Sequence, residues 1–344
     1  MKSLIRERRF GVPEPLQKAL QQTLLQMKFW GNWRELASYV QQMSDHFIQQ
    51  SGPTPWGTPQ GQAAYLCYFL PLNYARLCAV FTEIKRLQLP WKAPVVDIGS
   101  GPGTAHLAAL AHLPPTPWTN WETSPVPCEL HQQILNHLPK SAAHAPTHWT
   151  QQHPTLQKTS VVASYALNEW KVWPQALEQT EQLVIVEPST QEAGRRLMEY
   201  RQHLIDHGFH IWAPCTHPQG CPLLNESKRD WCHDRIHFDP PSWWTELEAH
   251  LPMRNQTLTF SYLIASRTPP QLAHSDGAIL ARVIGDTLHE KGKTRQAVCR
   301  GPHREFLSWL KRDGEAAPIP HGQLIELPLD IEKRGNELRV KPHL

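Results

Sequence analysis

The sequence predicts an α/β fold: a doubly wound sheet of mainly parallel strands, a helical cap before it and a small β-rich extension after it. Three observations carry that expectation. Residues 1–90 hold apolar side chains at helical spacing. From Pro94 onward, short β-type runs alternate with helical patterns, as in a parallel sheet covered on both faces. Between these parts, Val95-Val96-Asp97-Ile98-Gly99-Ser100-Gly101-Pro102-Gly103-Thr104 ends a short apolar strand on a carboxylate and turns through glycines into a helix.

The helical region opens with Leu16, Leu20, Leu24 and Met27, then Leu36, Tyr39, Val40, Met43 and Phe47. Ser51-Gly52-Pro53-Thr54-Pro55-Trp56-Gly57-Thr58-Pro59 is a loop by its breakers. Residues 63–70 and 73–87 read as two helices with Pro71 at the junction. Strands are expected at 95–98, 119–122, 147–150, 159–164, 183–187, 209–213 and 258–266. Helical patterns fill most of the gaps, as at 129–137 and 191–207. The organisation is therefore a helical region over 1–90, a nucleotide-binding domain over 91–270 with a cysteine-rich insertion at 214–257, and a basic C-terminal extension over 271–344.

Ligands bind such sheets beyond the carboxyl ends of the strands. That rim holds Asp97, Glu122, Tyr165-Ala166-Leu167-Asn168-Glu169 and Glu187-Pro188-Ser189. Asn168 and Ser189 are also natural helix N-caps. A dinucleotide fingerprint places its third glycine one residue later than Gly103, and no Lys-Ser/Thr follows the glycines, which excludes a P-loop. The spacing D-x-G-x-G-x-G instead resembles the first motif of S-adenosylmethionine-dependent methyltransferases. Glu122, 19 residues beyond Gly103, ends the second strand where an acid bridges two ribose hydroxyls. Cofactor binding is accordingly assigned to Asp97, Gly99, Gly101, Gly103, Glu122 and Asn168.

With 344 residues, 40% hydrophobic and 19% charged, the chain is long and apolar enough for a packed core and is not a disordered polyampholyte. Residues 1–9 lack the apolar stretch of a signal peptide, and no run approaches a membrane span. A soluble, cytoplasmic protein with no membrane partner is expected. The net charge of +3 is carried by residues 282–344, which hold 12 Lys and Arg against 9 Asp and Glu. Arg295, Arg300, Arg304, Lys311 and Arg312 are the densest group. Such a group suits phosphates, although on charge alone an ordinary solvated surface is the favoured reading.

Seven cysteines are unevenly spread. Cys67 and Cys78 lie in apolar helical stretches as buried small hydrophobes, and Cys128 precedes a helix. Cys215, Cys221 and Cys232 sit in irregular, proline-rich chain that has little reason to hold them for packing, and Cys299 is a fourth candidate. Without a secretion signal, disulfides are disfavoured and a soft metal site is the better reading. Spacing alone favours zinc, with His217 or His233 completing the ligand set, although neither a zinc-ribbon pair nor a ferredoxin run is present.

One family joins these features in order. Tyr65-Leu66 with Leu70-Pro71-Leu72-Asn73-Tyr74-Ala75, the glycine turn, Ala163-Ser164-Tyr165-Ala166-Leu167-Asn168-Glu169, Val186-Glu187-Pro188, and Pro214-Cys215, His217, Cys221-Pro222 and Trp231-Cys232-His233 resemble the bacterial and mitochondrial small-ribosomal-subunit assembly family related to methyltransferase-like protein seventeen. The resemblance covers residues 60–312. It implies a class I (Rossmann-like) methyltransferase fold, S-adenosylmethionine as cofactor and a role on the small ribosomal subunit and its 16S rRNA. It also implies a four-iron, four-sulfur cluster on Cys215, Cys221, Cys232 and Cys299, in place of zinc.

Methyl transfer needs its acceptor held in line with the sulfonium methyl. Base-modifying relatives of the wider fold often carry a Pro-Pro-aromatic turn or a cysteine nucleophile after the fourth strand. Here that place reads Tyr165-Ala166-Leu167-Asn168-Glu169, and no catalytic residue is assigned. Three functions stay open: an rRNA methyltransferase, a catalytically silent assembly factor that binds RNA, and a small-molecule methyltransferase with structural zinc.

Overall fold

The helix-spaced leucines near the start are buried in the computed structural model of the chain. Leu16, Leu20 and Leu24 turn inward on α1 (Glu14–Gln26), and Leu36, Val40 and Met43 on α2 (Trp33–Ile48). Phe47 departs from this face and is 37% exposed, its ring edge-on to Phe69 at 5.2 Å. The structure describes residues 8–341 apart from 50, 51, 53, 93, 140–145, 171 and 271–277. The start of the chain through residue 7, and Ser51 and Pro53 of the expected loop, lie outside the described residues.

Residues 59–86 form one helix rather than the two expected. α3 (Pro59–Ala64) runs through a π turn (Tyr65–Phe69) into α4 (Leu70–Arg86), with Pro71 in the first turn of α4. Proline has no N–H, so the carbonyl of Cys67 lacks its usual donor four residues on. The indole Nε1 of Trp243 donates to that carbonyl at 3.1 Å, which lets the helix continue. The joined helix is long and apolar enough to cross a membrane, contrary to the expectation that no run is. It is a core element: 78% of its apolar window is buried inside the protein.

Fifteen strands follow in chain order among the described residues: β1 (Arg9–Gly11), β2 (Val95–Ile98), β3 (Trp118–Trp121), β4 (Thr147–Thr150), β5 (Ser160–Ser164), β6 (Gln182–Glu187), β7 (His210–Ala213), β8 (Asp234–Asp239), β9 (Thr257–Ser266), β10 (Ala278–His289), β11 (Lys293–Cys299), β12 (Glu305–Leu310), β13 (Leu324–Pro328), β14 (Lys333–Arg334) and β15 (Glu337–Arg339). The chain divides into two units. The first comprises Arg9–Glu181 with Ile236–Leu258. Its strands β4-β3-β2-β5 lie in that order and are parallel throughout, with α5 (Thr104–His112) and α6 (Pro125–His137) as connections. Strand β8, inside the stretch expected to be an insertion, pairs in parallel with β1 through His237–Asp239.

The second unit comprises Gln182–Arg235 and the residues from Thr259 on, together with Arg8. It carries β6-β9-β7, with β9 antiparallel to both neighbours, and α7 (Gln191–Asp206). The α/β architecture is that of a class I (Rossmann-like) methyltransferase fold. Thr190, not Ser189, caps α7, its hydroxyl accepting from Ala193 N, while Ser189 Oγ bonds Thr259 Oγ1 at 2.6 Å.

The C-terminal segment adds a second sheet in the order β13-β10-β11-β12-β15-β14. β10, β11 and β12 form an antiparallel meander, β12 runs parallel to β15, and β13 returns antiparallel to β10. β13 and β14, at the two ends of this order, are separated by only four residues of chain. The side chains of Ala281, Val283, Val298, Leu307, Trp309, Ile325, Leu327 and Leu338 meet in one buried cluster. The sheet is therefore curled around a single core, with the connectivity of the five-stranded Greek-key barrel called the OB fold. Its first strand is bulged between Val283 and Thr287, where Gly285 sits against Ala297.

Candidate functional site

In the first unit the glycine turn folds as its spacing requires. Gly99, Gly101 and Gly103 all have left-handed φ, at +60°, +51° and +70°. The space around each differs. A Cβ on Gly99 would come within 2.9 Å of Ala166, and one on Gly103 would overlap the His131 ring. At Gly101 the nearest atoms are 3.8 Å away on Trp56 and 3.9 Å away on the Tyr65 hydroxyl, so a Cβ would make ordinary contact with two aromatic rings and overlap neither. Those rings pack on each other at 4.8 Å between centroids. Burial pushes the Tyr65 hydroxyl pKa up to about 12.

Asp97 and Glu122 end neighbouring strands. Glu122 Oε2 accepts from Gly101 N at 3.1 Å and Oε1 from Ser124 N at 3.1 Å, so the second-strand acid straps the turn in place. A carboxylate has lone pairs to spare, and ribose hydroxyls can add to these bonds. Asp97 is 1% exposed; burial, followed by the nearby Glu122, holds its carboxyl well above the usual range. Its Oδ2 and the buried Ser100 hydroxyl have no hydrogen-bond partner among the described residues. Unpartnered buried oxygens beside the glycine turn fit a polar cofactor such as S-adenosylmethionine. Asn168 is less well placed: it stands exposed on the 3-10 turn Leu167–Glu169 and does not cap a helix, while Ala166 is the residue touching Gly99.

Tyr165 adopts φ +59°, a strained conformation for a tyrosine, with the Arg76 guanidinium 5.8 Å from its ring centre. Burial raises the Glu169 pKa, with Glu122 adding to it. Sequence reasoning missed the rings roofing Gly101 and a buried chain of polar side chains behind the turn. In that chain Trp149 Nε1 donates to His131 Nδ1 at 3.1 Å, and His131 Nε2 lies 3.1 Å from His106 Nδ1. Burial, then His106, pushes His131 well below the usual imidazole range.

The second unit gathers the four predicted thiols. Cys215 follows β7, Cys221 precedes the short helix α8 (Pro222–Asn225), Cys232 precedes β8, and Cys299 ends β11. All four line one small cavity with His217, Met198 and Leu223. Burial, followed by the neighbouring thiols, pushes Cys221, Cys232 and Cys299 up. Arg201 of α7 is fully buried beside them, donating Nε to Cys215 Sγ at 3.0 Å and Nη2 to the carbonyls of His217 and Gln219. His217 Nε2 lies 3.3 Å from Cys299 Sγ. His233, the other histidine the spacing offered, instead packs on the His321 ring at 4.7 Å. Four sulfur donors and a buried cation suit an anionic metal–thiolate centre, whose ion would draw off the protons that burial retains. The remaining cysteines are buried elsewhere, Cys128 within α6 rather than before it.

The basic group near the C-terminus is mostly paired: Arg295 with Glu290, Arg300 with Glu305, and Arg304 with Asp230. Lys311 and Arg312 stand exposed on a 3-10 turn.

A family model described as mitochondrial small ribosomal subunit Rsm22 matches residues 59–320. No curated protein matches. Among solved structures, a putative RNA methyltransferase from Pyrococcus horikoshii is 12% identical, covering 66% of this chain and 98% of its own, with a TM-score of 0.34. Magnesium protoporphyrin IX methyltransferase from Synechocystis, solved with S-adenosylmethionine, is 13% identical over 65% of this chain and 90% of its own, at 0.36. Precorrin-6y C5,15-methyltransferase from Geobacter metallireducens is 14% identical over 56% and 87%, at 0.35.

Proposed function

The chain belongs to the mitochondrial small ribosomal subunit Rsm22 family, and from that premise we propose that it binds S-adenosylmethionine and acts on the small ribosomal subunit during its assembly, as an rRNA methyltransferase. The observation that carries the cofactor reading is the left-handed glycine turn, strapped by Glu122 and flanked by the unpartnered Asp97 Oδ2. Gly99, Gly101 and Gly103 let backbone amides approach the cofactor, Glu122 holds its ribose, and Trp56 and Tyr65 exclude water from the turn. Bound S-adenosylmethionine would supply the electrophilic methyl. Isothermal calorimetry on Glu122→Ala tests the site. Hydrogen bonds to a charged partner are worth about 1.5–3 kcal/mol, so affinity should fall by about one to two decades. No binding by the wild-type protein would remove the site.

The four thiols fit the cluster that the sequence resemblance implies, and a four-iron, four-sulfur centre would cross-link Cys215, Cys221 and Cys232 to Cys299, 67 residues further on. Metal binding then becomes folding free energy. Anaerobically purified protein should be brown with about four irons per chain. Colourless protein with stoichiometric zinc would replace that centre by a structural zinc site.

A second reading, a silent assembly factor, is favoured by the stretch Tyr165–Glu169, which offers no Pro-Pro turn and no cysteine. Methyl label from S-adenosylmethionine on 16S rRNA of purified subunits separates the two.

A further inference from the structure

We propose that Arg76 of α4 binds the carboxylate on the amino-acid tail of S-adenosylmethionine. The inference rests on the cofactor reading and names the residue for one of the cofactor's groups. It starts from the order of strands along the rim. Strand β2 lies between β3 and β5, and all three run parallel, so their carboxyl ends form one edge. Glu122 follows β3 at one side of the glycine turn, and Tyr165 follows β5 at the other. A ribose held by Glu122 sends the methionine tail across the turn toward β5. Two strand spacings make about 10 Å, a gap that the extended tail can span.

Arg76 stands at that far side with one hydrogen-bonding edge unused. Its guanidinium lies 5.8 Å from the Tyr165 ring centre. Nη1 donates to Asn73 Oδ1 at 2.7 Å, one turn back on α4. Asn73 is in turn a neighbour of the Tyr65 hydroxyl, which sits beside Gly101. Among the described residues the Arg76 Nε is buried with no hydrogen-bond partner, and no carboxylate pairs with the guanidinium. A guanidinium offers Nε and one Nη as a fork that fits a carboxylate through two parallel bonds. Asn73 fixes the side chain and leaves the Nε fork open. A half-buried cation without a counter-ion is unfavourable, and a bound carboxylate removes that cost.

The charges along the rim agree with this assignment. Glu122 accepts from Gly101 N and Ser124 N and repels a second carboxylate, so the anionic end of the tail is driven away from β3. The tail's ammonium suits the acidic side of the turn, where Asp97 Oδ2 has no partner among the described residues. Tyr165 is held at φ +59°, a costly conformation for a residue with a side chain, and there its ring meets the Arg76 guanidinium. A ring meets the face of a guanidinium, so the N–H edge stays available.

The test is isothermal calorimetry of the full-length protein with S-adenosylhomocysteine and with S-adenosyl-3-thiopropylamine, the same molecule without its carboxylate. Arg76→Met keeps the apolar stem and removes the fork. It should weaken S-adenosylhomocysteine binding about ten- to a hundredfold and leave thiopropylamine binding unchanged, which also shows that the chain is folded. Arg76→Lys keeps the charge without the fork and should fall between the wild type and Arg76→Met, for S-adenosylhomocysteine alone. Equal loss of both ligands in both variants would overturn the proposal, because Arg76 would then only support the site. Wild-type affinity in Arg76→Met would overturn it as well. If that variant instead lost affinity for a fluorescein-labelled 16S rRNA fragment, the guanidinium would belong to an acceptor phosphate. Wild-type protein that binds neither ligand removes the cofactor reading itself, whereas wild-type binding with unchanged variants removes Arg76 alone.

Discussion

At the scale of single residues, the glycine turn was legible because its chemistry is local: three glycines and two acids at fixed spacing announce a strand–turn–helix. The reason for Gly103 was not, because it lies in a ring 28 positions away. A Cβ there must meet His131 while the backbone holds φ +70°. Gly103→Ala should therefore lower unfolding free energy by more than about 2 kcal/mol in urea titration, from left-handed strain together with the clash. His131 carries its own signature. Its folded pKa is depressed and the unfolded value is near 6.5, so below about pH 6.5 the unfolded chain binds the extra proton first. Its contribution to stability is present above that pH and is lost as the pH falls toward the folded value. Urea midpoints should drop between pH 7 and pH 5, and His131→Gln should flatten that slope. Asp97, whose folded pKa is raised, has the opposite sign, so its burial stabilises at low pH and the benefit fades as pH rises above about 4. An unchanged slope in His131→Gln would show that other groups set the acid response.

At the scale of elements, helices and parallel strands were read within a few residues of their ends, since each carries its own periodicity. What escaped was every feature needing a distant partner. The continuous helix from Pro59 to Arg86 depends on Trp243, more than 150 residues later, to satisfy the carbonyl that Pro71 leaves without its usual donor. Trp243→Phe keeps the ring and removes the donor, and should cost about 1–3 kcal/mol of stability, measured by thermal or urea unfolding. The cysteine site divides in the same way. The thiols stood out by composition, yet Arg201 looked like one more polar residue on an amphipathic helix, although it is buried against Cys215. Its charge should favour an anionic centre, so Arg201→Met should lower metal occupancy of anaerobically purified protein, read by iron and zinc analysis. Equal occupancy would reduce Arg201 to a packing residue.

For the whole molecule, composition placed the basic excess at the C-terminal end but could not say how it is presented. Strand pairings such as Ala281 with Ile325 join positions 44 apart, and no local pattern reveals them. The paired arginines leave Lys311 and Arg312 as the exposed cations of the densest group, so their neutralisation should reduce the salt slope of subunit binding by roughly 0.7–0.9 for each phosphate they neutralise. Sedimentation at graded salt checks it, and a slope equal to the wild type would place the binding surface elsewhere. Closure of the barrel has a consequence for how the chain tolerates cutting. Strands β13 to β15 complete the sheet on either side of β10 and β12, so removing everything after residue 320 bares two unpaired β edges beside Leu307 and Trp309. Unprotected edges next to apolar side chains recruit other chains. The shortened protein should elute as soluble aggregates in gel filtration while the full chain does not, and the last two dozen residues would then guard the molecule against self-association.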